Sequence, residues 1–258
     1  MTDLSSPSTV SVVIPVLNDA EHLRTCLEAL QKQTRPPDEI VVVDNGSSDN
    51  SAAVARAFGA RVVDEPTPGI PAASAAGFDA ATGTILARLD ADCVPGPRWL
   101  ERVEKAMLTH PQPAAVTGPA AFHDGPAPLR FIGALAYLGA YFALVGLALG
   151  HPPLFGSNCA IRADAWRSIR HRVHRTDTHV HDDMDVSVHL KPLWSVRFMH
   201  TVDMRISARP FHSASALAVR FGRGMHTLRA HWPAELPWRR IGRRILLRPL
   251  RRRARFYD

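Results

Sequence analysis

The sequence predicts an α/β fold: a mainly parallel sheet flanked by helices. Three observations carry that reading. Short apolar runs alternate with helical stretches through the first 90 residues, the spacing of a parallel sheet wrapped on both faces. Polar and acidic clusters follow those runs at Asn18-Asp19, Asp44 to Asp49 and Asp90-Ala91-Asp92. No Gly-x-Gly-x-x-Gly and no Walker lysine motif occurs, so neither a dinucleotide fold nor a P-loop is supported.

Ser11-Val12-Val13-Ile14-Pro15 reads as the first strand, followed by Val16-Leu17-Asn18-Asp19. Asn18 or Asp19 caps a helix running through Glu21, Leu23, Leu27 and Leu30. Glu39 to Val43 is the next strand, ending at Asp44-Asn45-Gly46-Ser47-Ser48-Asp49, and an Ala-rich helix begins at Ser51. Ala60 to Val63 is a third short strand and Pro71 to Ala81 a third helix. Thr84 to Leu89, bounded by Gly83 and Pro95, reads as a buried strand that ends at Asp90-Ala91-Asp92. Carboxylates at i and i+2 on extended chain point the same way, so both can face one hard cation. A lone Asp-x-Asp is usually a solvated acidic turn. At the carboxyl end of a strand in an open α/β sheet, however, it sits where ligands bind. A Mg²⁺ or Mn²⁺ held by one or two carboxylates keeps positions free for phosphate oxygens and water.

Val13-Ile14-Pro15-Val16-Leu17-Asn18-Asp19, Val42 to Asp49 and Leu89-Asp90-Ala91-Asp92 resemble three signatures of the family 2 glycosyltransferases, in that family's order and spacing. Gly156-Ser157-Asn158-Cys159-Ala160-Ile161-Arg162 and Asp182-Asp183-Met184-Asp185-Val186 extend the resemblance, which covers residues 9 to 210. It implies the GT-A fold, with a Rossmann-like nucleotide half over residues 9 to 118 and an acceptor half over residues 119 to 237. It also implies a nucleotide-sugar donor, most commonly UDP-linked, and an acceptor hydroxyl. Carried over by position, Asp44 recognises the base, and Pro15, Leu17 and Asp19 line the same pocket. Asp92, with Asp90 nearby, holds Mg²⁺ or Mn²⁺ on the diphosphate. Gly156, Asn158 and Asp182 fall on the acceptor side, and Asp183 matches the catalytic base of an inverting transfer.

Asp183 also has a case of its own. Three carboxylates within four residues repel, so a neighbour can hold one pKa upward, towards useful basicity. The plain alternative is an acidic helix start, favoured by the positive end of the dipole. The chain departs from the family twice. The Arg-Asn pair expected after the third strand is replaced by Ser74-Ala75, so diphosphate binding must lean on the metal or on another basic residue. The Gln-x-x-Arg-Trp sequence of processive polymerases is also absent, and Arg220-Phe221-Gly222-Arg223-Gly224 stands in that region, which favours single-sugar transfer.

A chain of 258 residues with 46% hydrophobic content suffices for one sizeable α/β core. Cys26, Cys93 and Cys159 are odd in number and lack metal-like spacing, which suggests reduced thiols and a cytoplasmic protein. Met1 to Thr9 is polar, a short disordered lead without a signal core. Residues 238 to 258 hold nine arginines and one aspartate, a net of +8 against +7 for the whole chain. With Trp238, Ile241 and Ile245 at helical spacing until Pro249, this reads as a helical basic amphipathic tail suited to an anionic membrane surface. No nucleic-acid-binding signature accompanies it, so no nucleic-acid partner is expected.

Phe131 to Gly150 is uncharged and long enough to span a bilayer, but one crossing would separate Asp92 from Asp183. The segment is therefore either a buried helix or helical hairpin, or a helix lying in the membrane interface. His171, His174, His179 and His181 lack closing ligands at zinc-like spacing and read as a mobile polar loop able to touch the acceptor. His212, after a strand from Val202 to Ala208, is a further candidate metal ligand. The reading is an inverting, metal-dependent glycosyltransferase, peripheral on the cytoplasmic membrane. A non-catalytic nucleotide-sugar-binding or membrane-associated scaffold is the alternative, motivated by the missing Arg-Asn pair. A nucleotidyltransferase would need a basic Gly-rich loop near residue 20, and none is present.

Overall fold

The computed structural model describes residues 8–109, 112–124, 129–190, 194–209 and 213–254. Its strands are β1 (Val10–Val16), β2 (Glu39–Asp44), β3 (Arg61–Asp64), β4 (Ile85–Arg88), β5 (Val94–Pro95), β6 (Ala115–Thr117), β7 (Ala121–Phe122), β8 (Cys159–Arg162), β9 (Val196–Phe198) and β10 (Met204–Ile206). Seven of them form one sheet in the order β3-β2-β1-β4-β8-β6-β9, while β5, β10 and β7 form a small second sheet. The pairs β1–β2, β1–β4, β2–β3 and β6–β9 are parallel. β8 runs antiparallel to both of its neighbours, β4 and β6.

The helices are α1 (Ala20–Gln31), α2 (Ser51–Ala57), α3 (Ile70–Ala80), α4 (Trp99–Leu108), α5 (Ala134–Leu149), α6 (Ala163–Ile169), α7 (Asp182–His189), α8 (Ala214–Ala230) and α9 (Pro237–Ala254), with a π-helical turn at Leu129–Gly133 leading into α5. The sheet is buried on both faces because β1 is apolar on both. Val12 and Ile14 pack with Leu23, Leu27, Trp99 and Leu100, while Val13 packs with Val41, Val43, Phe78 and Trp166. In the register, Val16 of β1 lies opposite Asp44 of β2, and Val13 opposite Arg88 of β4, so these strand ends open on one edge. Strand order reverses there: β2 and β3 continue to one side of β1 and β4 to the other, the place where an open α/β sheet leaves a crevice.

Several element boundaries differ from expectation. The strand expected over Thr84 to Leu89 is confined to β4, and the one expected over Val202 to Ala208 shrinks to β10. Asp19 is the residue before α1, yet its side chain does not cap the helix. The exposed Ala20 N–H donates instead to Asp49 Oδ2 at 3.0 Å, while Asp49 Oδ1 accepts from Ser51 N and Oγ at the start of α2. One distant carboxylate therefore serves two helix starts, and Asn18 is left to take a positive φ of 51° in the loop. Residues 1–7 and His212 lie outside the described residues.

The central apolar segment is neither a hairpin nor a wholly buried helix. It forms a single helix, α5, with Leu138 and Leu149 buried but Leu144 and Leu147 exposed. Among the described residues no helix is long and apolar enough to cross a membrane. The basic segment is one helix that continues through position 249 to Ala254 rather than breaking there. It is also docked. Arg240 is 5% exposed, donates to the Val188 and Leu149 carbonyl oxygens at 2.8 and 3.2 Å, and pairs with Glu235 at 2.6 Å. Trp238, Ile245 and Leu246 of the same helix are exposed.

α3 crosses β1 and β2 so closely that a Cβ at Gly77 would overlap the Val13 and Val43 side chains. Gly77→Ala is therefore expected to cost about 1–3 kcal/mol by overpacking, although alanine is the better helix former by about 1 kcal/mol. Urea unfolding with an unchanged slope checks this.

Candidate functional site

The crevice is a cavity of about 520 Å³ above β1 and β4. Of the expected residues, Pro15, Leu17, Asp19, Asp90, Asp92, Gly156, Asp182 and Asp183 line it. They come from four stretches of chain: the end of β1 with the turn after it, the turn after β4, the loop entering β8, and the start of α7. Arg88, Tyr137, Tyr141, His181, Arg209, Arg220 and Arg223 complete the wall.

Two expected residues stand apart. Asp44 is buried at the end of β2, where Oδ1 accepts from Ser47 N at 2.8 Å, and it is not on the described cavity wall. Its neighbour Asn45 does reach the cavity. Asn45 also ties the end of β2 to the loop before α3, through the Glu65 and Thr67 carbonyl oxygens and the Gly69 N–H. Asn158 is corrected more sharply. It is buried behind the wall, accepting from Trp99 Nε1 at 2.9 Å and donating to the Pro119 oxygen at 2.8 Å. It braces α4 and cannot face an acceptor in this arrangement.

The Asp90-Ala91-Asp92 segment is not extended. Cys93 N donates to the Asp90 carbonyl oxygen at 3.0 Å, closing a turn. A carboxylate oxygen of Asp90, one of Asp92 and Cys93 Sγ still lie within 4.8 Å of one another. Both oxygens of Asp90 are hydrogen-bonded: Oδ1 accepts from Arg88 Nη2 at 2.9 Å and Oδ2 from Ser157 Oγ at 2.6 Å. Asp92 faces the cavity, and its Oδ2 meets Arg209 Nη2 at 2.8 Å. The same Nη2 lies 2.8 Å from Asp19 Oδ2, so a guanidinium stands between the two carboxylates. Burial pushes Asp92 above the ordinary carboxylate range, Asp90 adds to this, and Arg209 opposes it. A cationic group already at Asp92 shows that the position accepts positive charge, and its hard oxygen donors suit Mg²⁺ or Mn²⁺. Cys93 is no partner for such an ion. It is buried, its thiol is pushed up by burial, and Sγ points at the Ser157 oxygen.

Asp183, also on the cavity wall, accepts from Gly156 N at Oδ2, 2.8 Å, and from Met184 N at Oδ1, 2.7 Å. Each oxygen keeps a second lone pair for an incoming hydroxyl. The three carboxylates of α7 do not share one environment: Asp182 and Asp183 repel each other, whereas Asp185 is held apart from them. Asp182 Oδ2 pairs with Arg88 Nη1 at 2.7 Å, while burial pushes its carboxyl upward. Asp185 points away from the cavity, and despite burial, hydrogen bonds from His189, His231 and His174 hold it well below the usual carboxylate range. Asp185 is thus no candidate base. Nor do the loop histidines act together: His181 lines the cavity, whereas His174 turns inward to Asp185.

Arg88 was not singled out from sequence, although an arginine inside an apolar strand that ends in acids is a signal for it. Arg209, Tyr137 and Tyr141 carried no local signal. Ser74 and Ala75 are buried in α3, so the basic groups in the cavity are Arg88, Arg209, Arg220 and Arg223 instead.

Residues 11–168 match the family model Glycosyl transferase family 2. The chain belongs to that family. Glycosyltransferase AglE of Haloferax volcanii is 43% identical over 101 residues, 36% of this chain and 33% of that protein. Undecaprenyl-phosphate 4-deoxy-4-formamido-L-arabinose transferase of Serratia proteamaculans is 42% identical over 106 residues, 37% of this chain and 32% of that protein. The matches thus span about a third of the length of these curated relatives. Among solved structures, mannosyltransferase PcManGT of Pyrobaculum calidifontis, in complex with GDP-Man and Mn²⁺, superposes with a TM-score of 0.64 at 20% identity, covering 94% of this chain and 70% of that one. Glucosyl-3-phosphoglycerate synthase of Mycobacterium tuberculosis, with Mn²⁺, UDP and glucosyl-3-phosphoglycerate, gives 0.57 at 20% identity, covering 84% and 80%. The fold of this family 2 glycosyltransferase is GT-A.

Removing Arg88 leaves Asp182 buried without its partner, which is expected to destabilise Arg88→Met by about 3 kcal/mol at pH 7. In the variant the folded-state pKa of Asp182 rises above its unfolded value, so the native state binds the extra proton. Stability then falls as pH rises and is partly regained on acidification. Urea midpoints of wild type and variant at pH 5 and pH 7 measure this, and a gap that does not narrow at pH 5 counts against the Asp182 assignment.

Proposed function

We propose that this family 2 glycosyltransferase moves one sugar from a nucleotide-diphosphate donor, UDP-linked by preference, to an acceptor hydroxyl with inversion. The observation that carries the reading is one cavity lined by both Asp92 and Asp183, with four arginines on its wall. Asp92 would hold Mg²⁺ or Mn²⁺, whose charge offsets that developing on the leaving nucleotide. Arg209, Arg220 and Arg223 supply the positive charge for the diphosphate that Ser74-Ala75 cannot. Pro15, Leu17 and Asp19, with Asn45 behind them, bound the nucleoside end, and Asp44 supports that loop from beneath. Asp183, held by the Gly156 N–H, takes the proton of the acceptor hydroxyl as it attacks the anomeric carbon. Asp182 and Asp90 are fixed on Arg88 and do not compete for that role.

The acceptor is proposed to reach the site from an anionic membrane surface. Exposed apolar side chains at Leu144 and Leu147 of α5, Phe221 of α8 and Trp238, Ile245 and Leu246 of α9 support this, as does the arginine content of α9. A relative named for undecaprenyl phosphate is consistent with it.

Purified protein screened against a panel of nucleotide sugars with Mn²⁺ tests the activity; a non-catalytic scaffold would bind donor without turnover. Asp183→Asn should keep donor affinity and lose transfer by about a hundred- to ten-thousand-fold. Asp92→Asn should weaken donor binding and abolish the dependence on Mn²⁺; a variant with wild-type rate and wild-type Mn²⁺ dependence overturns the metal assignment.

The membrane reading is tested by flotation on anionic vesicles at low and high salt. Trp238→Ser/Ile245→Ser/Leu246→Ser leaves Arg240 in place and should release the protein. Each arginine near the surface adds about 1 kcal/mol, and this part fades as the screening length falls to about 3 Å at 1 M salt. Protein that never floats refutes the membrane reading and leaves the catalytic one standing.

A further inference from the structure

Behind α7, away from the cavity, His174, Asp185, His189 and His231 converge so that one ligand atom from each lies within 4.8 Å of all the others. Asp185 Oδ1 is 2.8 Å from His174 Nδ1, 3.0 Å from His231 Nε2 and 3.5 Å from His189 Nε2. The two Nε2 atoms of His189 and His231 are 3.4 Å apart. Adjacent ligand atoms of a tetrahedral zinc site, with bonds near 2.0–2.1 Å, are separated by about 3.3–3.4 Å. Asp185 is 2% exposed, and both His189 and His231 are buried.

Hydrogen bonding at the back of the rings decides how this cluster is read. His231 Nδ1 lies 2.7 Å from the Thr227 carbonyl oxygen, which can only accept, so that nitrogen carries the proton. Neutral His231 then turns the Nε2 lone pair towards a carboxylate oxygen and another imidazole. Asp185 is held in turn by the His174 N–H, which donates to Oδ2 at 2.7 Å and leaves Oδ1 facing the three rings. His189 Nδ1 is buried without a hydrogen-bond partner. The Nε2 atoms of His189 and His231 face each other and the same carboxylate oxygen, so in the neutral rings a lone pair is turned on another acceptor. A cation among them removes the conflict. An imidazole whose far N–H is fixed by a backbone carbonyl is the usual arrangement behind a metal ligand.

We propose that His174, Asp185, His189 and His231 form a structural zinc site, separate from the donor cavity, that fastens the base-bearing helix to its neighbours. Three imidazoles and one carboxylate are a closed four-ligand set suited to Zn²⁺, with no open position for chemistry. The ligands join the loop before α7, two turns of α7 itself and the residue after α8. Asp183 lies two residues before Asp185 and so on the opposite side of α7. Zinc here would fix the helix that presents Asp183 and the helix that presents Arg220 and Arg223, without touching substrate.

The test is metal content of the full-length chain expressed with zinc and desalted through EDTA, read by mass spectrometry. About one zinc per chain is expected, retained in Asp92→Asn and lost in His174→Ala/His231→Ala. Loss of a ligand should weaken binding by more than the about 10- to 100-fold that loss of an outer-shell partner costs. Cobalt added to metal-free wild type should give the visible bands of a four-coordinate ion, and zinc should raise its melting temperature. These last two readouts need no variant, so misfolding of the double substitution does not rescue the proposal. Wild type without zinc, without cobalt bands and without a melting shift overturns it, the cluster then being an imidazolium–carboxylate network. Zinc that is lost in Asp92→Asn but kept in the histidine variant also overturns it.

Discussion

One buried guanidinium organises the candidate site. Arg88 is the last residue of β4, its side chain 4% exposed, and it binds Asp90 on its own turn and Asp182 at the start of α7. These acids come from opposite halves of the chain, and Arg88 is the fixed point between them. A charge this buried is tolerable only when paired, so the pairing sets where both acids must lie. Gly156 is part of the same constraint, because a Cβ there would overlap the Arg88 guanidinium. With no side chain at 156, the backbone passes close to Arg88 and offers its N–H to Asp183, while Ser157 closes on Asp90. Asp92 and Asp183 thereby line one cavity whose frame is built around Arg88.

The parallel sheet was legible because β-branched runs buried on both faces leave a continuous apolar pattern, as in Val10–Val16 and Glu39–Asp44. The site acids were legible because they follow those runs. What escaped was everything set by chain segments far apart in sequence. Asp49 capping α1 depends on the loop after β2 folding back over the loop after β1, which no local pattern encodes. Asn158 sits in a motif beside Gly156 and Ser157, yet the alternation of a strand entry turns it inward to Trp99. Arg209 meets Asp19 across almost the whole domain, and His231 meets Asp185 from beyond α8. The backbone from Asp90 to Asp92 is turned rather than extended, because Cys93 N donates to the Asp90 carbonyl, yet a carboxylate oxygen of each acid stays within 4.8 Å of the other.

The carboxyl-terminal helix shows how a charge pattern can carry two meanings. Of its arginines, Arg240 is buried and serves as a staple, joining the ends of α5 and α7 to Glu235. Burial lowers its pKa from the ordinary arginine value, and the Glu235 carboxylate offsets that effect. Arg243 reaches the same carboxylate at 2.8 Å from a more exposed position, where an ion pair is worth about 0–1 kcal/mol. One buried arginine of the basic run thus anchors the helix, while Trp238, Ile241, Ile245 and Leu246 are left exposed.

Arg88 and Arg209, both on the cavity wall, differ in the same way, and the difference separates scaffold from replaceable contact. Breaking a buried pair such as Arg88–Asp182 costs about 3–5 kcal/mol, because the remaining charge is stranded away from water. Arg209 is 46% exposed on its side chain, and solvent screens its bonds to Asp19 and Asp92. Desolvation works against its charge, but the two carboxylates outweigh it and hold its pKa above the ordinary arginine value. Its partners can thus be exchanged at small cost, while Arg88 cannot leave without unmaking the wall. A cavity that keeps its acids on a rigid frame and fills the space between Asp19 and Asp92 with an exchangeable cation keeps those two carboxylates together and still accessible to a ligand.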